Sequence, residues 1–430
     1  MKEFLRKILP LPVINFYHLS LSFLGALINF FPSSRIRVIG VTGTNGKSTV
    51  VYLIEKILEQ SGYRVASLSS IKFKIDKKER ANDLRMTMPG RFFIQKFLRQ
   101  AVKAGCTYAV VEVTSEGIVQ SRHRFISFDS AVFTNLSLEH IESHKGFDNY
   151  RKAKLELFKK TKNIHVLNLD DENIEYFLSV PCFRKYGYTL NNLKENLKDL
   201  KIKITQGKNT RVGVKGVKFS VNGVPFNLKL LGEFNIYNAL AAVSVSLAHG
   251  VSLQNVKKAL ERIQGIPGRM EQVLSSPFKV FVDYAFTPNA LEKVYKTLKK
   301  DLKTGKFICV FGAAGGGRDK WKRPVLGKIA AENCDKIIIT NEDPYDEDEK
   351  EILKMIKTGI TKAHFSYSHF QEILDRREAI ARALALAKKK DLVIITGKGC
   401  ESSICLKHGK RIPFDDRKVV REEMENLKKK

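Results

Sequence analysis

Cysteine is sparse and unpatterned in this chain. The six cysteines (106, 182, 309, 334, 400 and 405) show no C-x-x-C spacing and no paired histidines nearby. That argues against a zinc site and a disulfide framework, and leaves a reduced cytoplasmic protein as the expectation. The net charge is +30, yet no RNA-recognition, zinc-finger or helix-turn-helix signature accompanies the lysines. The charge therefore reads as a solvated basic surface around an anionic substrate, not as a nucleic-acid footprint. No internal repeat or low-complexity tract occurs. Charge itself is missing from residues 8–34, ILPLPVINFYHLSLSFLGALINFFPSS, which follow the basic Lys2, Arg6 and Lys7. Pro10 and Pro12 confine any helix there to about Val13–Phe31, marginal for crossing a bilayer, and no A-x-A cleavage site follows. Two readings stand for 1–34: a helix packed on the protein, which is preferred, or an interfacial helix giving peripheral membrane contact.

What is present begins at Arg35–Gln60, RIRVIGVTGTNGKSTVVYLIEKILEQ. An apolar β-branched run ends in a glycine-spaced turn, and Lys47, Ser48 and Thr49 open a helical pattern. That order is strand, phosphate loop, helix. Gly43 and Gly46 allow backbone amides to approach phosphate oxygens, with Thr44 and Asn45 between them. Lys47 would reach the terminal phosphates, and Ser48 or Thr49 offers a hydroxyl to Mg²⁺. The strict pattern G-x-x-x-x-G-K-[ST] misses by one place, because Gly40 precedes Val41, where glycine is asked.

From Arg35 to about Ile266, strand and helix patterns alternate, as a mostly parallel sheet requires. Strands are expected at Tyr108–Val113, Ser130–Thr134 and Ile164–Leu169, with helices at Phe92–Ala104 and Tyr150–Thr161. Residues 191–230 turn lysine-rich and strand-like, which suggests a small antiparallel insertion. Ile266-Pro267-Gly268-Arg269 is the linker candidate, and a second doubly wound α/β region follows over 267–430. The expected fold is thus α/β: a central P-loop ATPase-like parallel-sheet domain (35–266) plus a C-terminal doubly wound domain.

Polar residues at the carboxyl ends of these strands are the candidate ligands. Glu112 is placed to coordinate Mg²⁺, or alternatively to cap a helix. Asn135, Glu139, His140 and His144 follow SAVFT. Lys154, in YRKAKLELF, taken alone reads as a solvated lysine.

The blocks VTGTNGKST, EVTSEG, FDSAVFTNLSLEHIESH, YRKAKLELF, GEFNIYNALAA, GIPGRME, VDYAFTPNALE, FGAAGGGRDKWKRP, TGKGCE and FDDR occur in the order seen in Mur ligases. Over residues 35–420 the chain most resembles the MurE-type UDP-N-acetylmuramoyl-tripeptide synthetases. The resemblance implies a cytoplasmic ATP-dependent, Mg²⁺-using ligase of peptidoglycan synthesis. It would phosphorylate a carboxylate and join an amino group to the acyl phosphate. It implies that Lys47 and Ser48 hold ATP phosphates and metal, that Glu112 and His140 hold magnesium, and that Lys154 is carbamylated. Asn235, Asn238, Arg269 and Asp283 match nucleotide-contacting positions. Thr87, Thr114, Ser115 and Arg122 match contacts to the muramoyl peptide, with Met88 where a second threonine is usual. Phe286 and Asn289 replace two polar residues of Ala-His-Thr-Pro-Asp.

Arg318 resembles the arginine that grips the amino acid's carboxylate. Gly397 and Glu401 match positions near its distal amine. The Asp-Asn-Pro-Arg motif associated with meso-diaminopimelate reads Glu342-Asp343-Pro344-Tyr345 here, without its arginine. With Asp346, Glu347 and Asp348 beside it, an acidic pocket for lysine or ornithine is expected. The alternative is that these acids cap a helix starting near Lys350. MurE-type enzymes carry an N-terminal uridine-binding domain of about 100 residues, whereas 34 residues precede the first strand here. A poly-γ-glutamate synthase-like ligase is the nearest alternative. One of another class is a nucleotide-gated protein binding membrane or nucleic acid.

Overall fold

The structure, a computed structural model, describes residues 10–84, 86–192, 201–300 and 305–429. Nine strands form the first sheet: β1 (Arg37–Thr42), β2 (Val65–Leu68), β3 (Lys72–Ile75), β4 (Lys78–Ala81), β5 (Tyr108–Glu112), β6 (Phe128–Phe133), β7 (Ile164–Asn168), β8 (Arg184–Thr189) and β9 (Ile202–Gln206). Their order is β4-β3-β2-β5-β1-β6-β7-β8-β9, and all pairs are parallel except β2–β3 and β3–β4. β1 is buried from Val38 to Thr42. A continuous β-branched run suits such a strand, covered on both faces. The chain leaves β1 toward β2 and β5 on one side, then crosses to β6 on the other. Ligands bind at the carboxyl edge of such a switch point.

Helix α1 (Leu11–Ile28) packs on α3 (Arg91–Lys103), and α2 (Lys47–Gln60) follows the phosphate loop. Helix α4 (Phe147–Lys160) precedes β7, and α5 (Phe234–Ala248) lies buried between α2 and β8. Of the expected insertion, Ile202–Gln206 instead extends the large sheet. Only β10 (Lys208–Gly213), β11 (Gly216–Val221) and β12 (Val224–Leu228) form a separate antiparallel sheet. Its Phe219 and Phe226 rings stack at 5.0 Å and join the core of α2 and α5.

The second sheet holds β13 (Glu271–Leu274), β14 (Lys279–Asp283), β15 (Phe307–Phe311), β16 (Lys336–Ile339), β17 (Phe370–Glu372) and β18 (Leu392–Thr396). Its order is β13-β14-β18-β15-β16-β17, parallel except for β13. The chain enters it through a tight turn, with an Ile266–Arg269 bridge and Gly268 at φ +63°. A Cβ at Gly268 would stand 2.2 Å from Cys400 N, so only glycine allows the two segments to meet.

One expectation is corrected here. Cys309 in β15 and Cys334 before β16 form a disulfide, whereas Cys106, Cys182, Cys400 and Cys405 are thiols. The partners lie 25 residues apart, on a strand and just past a helix end. Spacing motifs do not register a pair that only the sheet brings together. Among the described residues, no helix is long and apolar enough to cross a membrane.

Candidate active site

The carboxyl edges of both sheets face one cleft of about 640 Å³. Its first wall is the loop after β1. Gly43 and Gly46 adopt φ +149° and +83°. A Cβ at Gly46 would meet Asn238 Oδ1 at 2.3 Å, so a larger residue would have to displace that side chain as well as strain the backbone at φ +83°. Lys47 Nζ curls back to donate to Gly43 O (3.1 Å) and Thr44 O (2.8 Å), and stands 4.0 Å from Glu112. Ser48 Oγ donates to Glu112 Oε2 at 2.9 Å, and the Ser70 amide donates to the same oxygen at 3.0 Å. Lys154 is not solvated: it is 1% exposed, donates to Gly43 O at 2.7 Å, and lies 4.5 Å from the centre of the Tyr150 ring. Burial, with Lys47 nearby, drives its amine well below the usual lysine range.

The second wall meets the first through specific bonds. Arg269 Nη2 donates to Ser48 Oγ (3.2 Å) and Ser70 Oγ (3.0 Å). Its guanidinium lies 4.4 Å from the centre of the Tyr284 ring. Asp319 accepts from the amides of Ile141 and Glu142 at 3.1 and 3.0 Å, and Glu142 accepts from the Lys320 amide at 2.8 Å. This reciprocal clasp fixes His140, itself in the left-handed region at φ +58°. Burial and the cations around it, Arg318 and Lys154 first, push the His140 imidazole down to about 2, so the ring is neutral. Lys322 and Glu139, both buried, pair at 2.7 Å. Phe286 lies beneath Lys322, with its ring centre 4.9 Å from Nζ, and so gives this cation a face to rest on.

The far end of the second wall sorts the acids that the sequence groups together. Asp348 caps the helix α6 (Glu349–Lys362), accepting from Lys350 N at 2.8 Å. Asp346 accepts from His408 N at 2.8 Å, and Glu347 pairs with Arg323 at 2.9 Å. Asp343 takes the buried Lys398 at 3.1 Å and the Cys405 amide at 2.8 Å. The five-acid pocket is therefore corrected: of the five only Glu342 and Asp343 line the cleft, together with Glu401, and Asp346, Glu347 and Asp348 are spent on local structure. Glu342 Oε2 is buried without a hydrogen-bond partner. Burial, then the neighbouring Asp343, raises its carboxyl to about 7.

Most of the residues singled out in sequence line this cleft; Gly43, His144, Asp346, Glu347 and Asp348 do not. Gly43 lies behind it and receives both lysines on its carbonyl. Asn235 accepts from Asn238 at 2.9 Å, and Asp283 accepts the Met270 and Ala285 amides at 2.7 Å each. Arg122 reaches the carbonyl of the buried Met88, while Ser115 bonds to His144 Nε2 at 3.1 Å. Arg318 stands 3.5 Å from Glu116. Sequence reasoning missed Ser70, Lys322 and Arg376. The last pairs in bidentate fashion with Asp416 at 2.8 Å and donates to Asn341 O (3.1 Å) and Thr396 O (2.9 Å). It thus ties together the loops carrying Glu342 and Gly397. The FDDR block was the available signal, since it contains the buried partner, Asp416.

Two family models match: the Mur ligase middle domain over residues 41–246, and the Mur ligase glutamate ligase domain over 268–399. A UDP-N-acetylmuramoyl-L-alanyl-D-glutamate–2,6-diaminopimelate ligase of Syntrophomonas wolfei subsp. wolfei is 38% identical, over 91% of this chain and 78% of that protein. A UDP-N-acetylmuramyl-tripeptide synthetase of Roseiflexus sp. is 35% identical, over 97% of this chain and 84% of that protein. A solved diaminopimelate ligase of the same description aligns with TM-score 0.60 at 30% identity, covering 91% of this chain and 79% of that one.

Proposed function

Because the chain belongs to the Mur ligase family, and so is an ATP-dependent ligase that forms amide bonds, we propose that it adds a diamino acid to a UDP-N-acetylmuramoyl-L-Ala-D-Glu-type acceptor. The observation that carries this reading is the two-sided cleft. A phosphate loop with Lys47, Ser48 and Lys154 faces Arg318, Glu342 and Glu401 across one continuous cavity. ATP would lie with its phosphates on the Gly43–Thr49 loop and its base toward Asn235 and Asn238. Arg269 would reach it from the linker.

The oxygens of Ser48 and Glu112 suit Mg²⁺, and neutral His140 keeps a ring nitrogen available as a ligand. Among the described residues, no group of three or more His, Cys, Asp or Glu could hold a metal ion. That pattern fits a cation completed by phosphate oxygens and water, as Mg²⁺ prefers. When bound, it would neutralise charge on the transferring phosphoryl group. Lys154 supports a further reading. Burial lowers this amine's hold on its proton, which favours the free amine that attacks CO₂: its nitrogen bonds the carbon, one proton leaves, and a carbamate anion takes the place of the neutral amine beside Lys47.

In the proposed reaction, the acceptor carboxylate attacks the terminal phosphorus of ATP and ADP leaves. The incoming amine then attacks the acyl carbon, releasing phosphate and a proton. Arg318 would hold the amino acid's carboxylate. Glu342 and Glu401 would face its distal end, and Tyr345 stands where the diaminopimelate pattern has arginine. A cationic distal end, as in L-lysine, suits this wall; 2,6-diaminopimelate, named for several relatives, is the second reading. The test is phosphate release from ATP with the dipeptide acceptor and a panel of amino acids. Release that requires both acceptor and a diamino acid supports the proposal. Release indifferent to both overturns it.

A further inference from the structure

Helix α1 is built inside out. In a surface helix the large apolar side chains ordinarily face the core. Here, small and polar residues face the protein: His18, Ser22, Gly25, Ala26 and Asn29 are buried. Ser22 Oγ donates to Ser121 O at 2.7 Å, His18 pairs with Arg91, and Gly25 lies against the Arg91 backbone. The opposite stripe carries Val13, Phe16, Tyr17, Leu24, Leu27 and Ile28, each more than a third exposed. Phe16 is 72% exposed, and Phe30 just beyond the helix is 66% exposed. A contiguous apolar face of this kind marks an interaction site.

The charges around it name the occupant. Helix α3, on which α1 packs, contains Arg91, Lys96, Arg99 and Lys103 and no acid. The adjoining residues 117–128 contain Arg122 and Arg124 and no acid, and no Asp or Glu occurs between Glu3 and Glu55. Arg99 donates to Ile28 O at 3.2 Å and lies 4.8 Å from the centre of the exposed Phe30 ring. A second copy of the chain docked here would set these cations against one another without compensation. An anionic bilayer surface compensates them and also receives the aromatic stripe. Among the described residues no helix is long and apolar enough to cross a membrane, and the polar face of this one is bonded to the protein. We propose that the outward stripe of α1, with the basic rim of α3, is a docking surface for an anionic lipid bilayer, on which the helix lies flat.

The test is flotation of the full chain with phosphatidylglycerol vesicles and, separately, phosphatidylcholine vesicles. The wild type should float with the first, release at high salt, and bind the second more weakly. The triple variant Phe16→Ser, Leu24→Ser, Leu27→Ser should lose about ten-fold or more of the binding, with its circular dichroism unchanged. Lys96→Glu, exposed on α3, leaves the apolar stripe intact and should weaken phosphatidylglycerol binding alone. Phe16→Trp should keep binding, with fluorescence that shifts to the blue on vesicles. Wild type that stays at the bottom with phosphatidylglycerol vesicles overturns the proposal, and so do triple and Lys96→Glu variants that float like wild type. A concentration-dependent dimer in sedimentation velocity, abolished by the triple variant, would assign the face to a second copy instead and equally overturn it.

Discussion

The two walls of the cleft are held by different physics. The phosphate wall is local: seven consecutive residues, Gly43–Thr49, two with backbone angles that favour glycine, lie against Asn238 of α5 and receive Lys154 from α4. The opposite wall, proposed to take the amino acid, is assembled from segments far apart in the chain. Lys398 reaches Asp343, Arg376 reaches Asp416, and Arg323 reaches Glu347. A loop of the first kind survives most changes outside it. A wall of the second kind depends on a few buried charges, each of which stays ionised only while its partner is present.

The largest expected effect lies on the phosphate wall. Lys154→Ala should reduce kcat about 10³-fold or more, with no recovery in bicarbonate, while leaving the melting temperature close to wild type. Steady-state phosphate release checks this, and a fully active variant would remove Lys154 from the chemistry. Next comes the scaffold of the opposite wall. Arg376→Ala strands Asp416 in the interior and should cost about 3–5 kcal/mol in urea unfolding. A loss below about 1 kcal/mol would show that the two loops are held without it.

Smaller, and aimed at specificity, is Tyr345→Arg. It should move the ratio of kcat/KM toward meso-diaminopimelate over lysine by about ten-fold. An unchanged ratio would place the distal carboxylate elsewhere. A pH-dependent effect concerns Glu342, whose carboxyl is raised from 4.5 to about 7. Between those values the native state holds a proton that the unfolded chain has lost. Stability therefore falls as pH rises through that window, and the loss stays constant above it. Glu342→Gln lacks this penalty, so its melting temperature relative to wild type should rise from about pH 5 to about pH 8. A difference flat in pH would mean that Glu342 titrates normally.

The difference between the walls also explains what the sequence could tell. Strand, loop and helix at Arg35–Gln60 are contiguous, so glycine placement and apolar period suffice to find them. Most strands and helices of both sheets were legible for the same reason. Lys154 looked solvated because its own helix cannot reveal that Gly43 and Tyr150 close over it. The acidic run at 342–348 looked like one pocket because charge was visible and partners were not. Asp348 caps its own helix, while Asp343 and Glu347 answer cations 55 and 24 residues away. Residues 8–34 revealed their apolar content but not which side faced outward, since that depends on Ser121 and Arg91.

The central claim is that one cleft joins a phosphate half to a half that reads a diamino acid's distal amine. It is tested most directly by giving the enzyme ATP, Mg²⁺, the muramoyl dipeptide acceptor and equal amounts of L-lysine and meso-diaminopimelate, then weighing the product. The account predicts an acceptor heavier by one lysyl residue as the main product, with one ADP formed per amide. A product carrying diaminopimelate would contradict the reading of Tyr345 and Glu342. ADP without any ligated product would contradict the cleft as a single site.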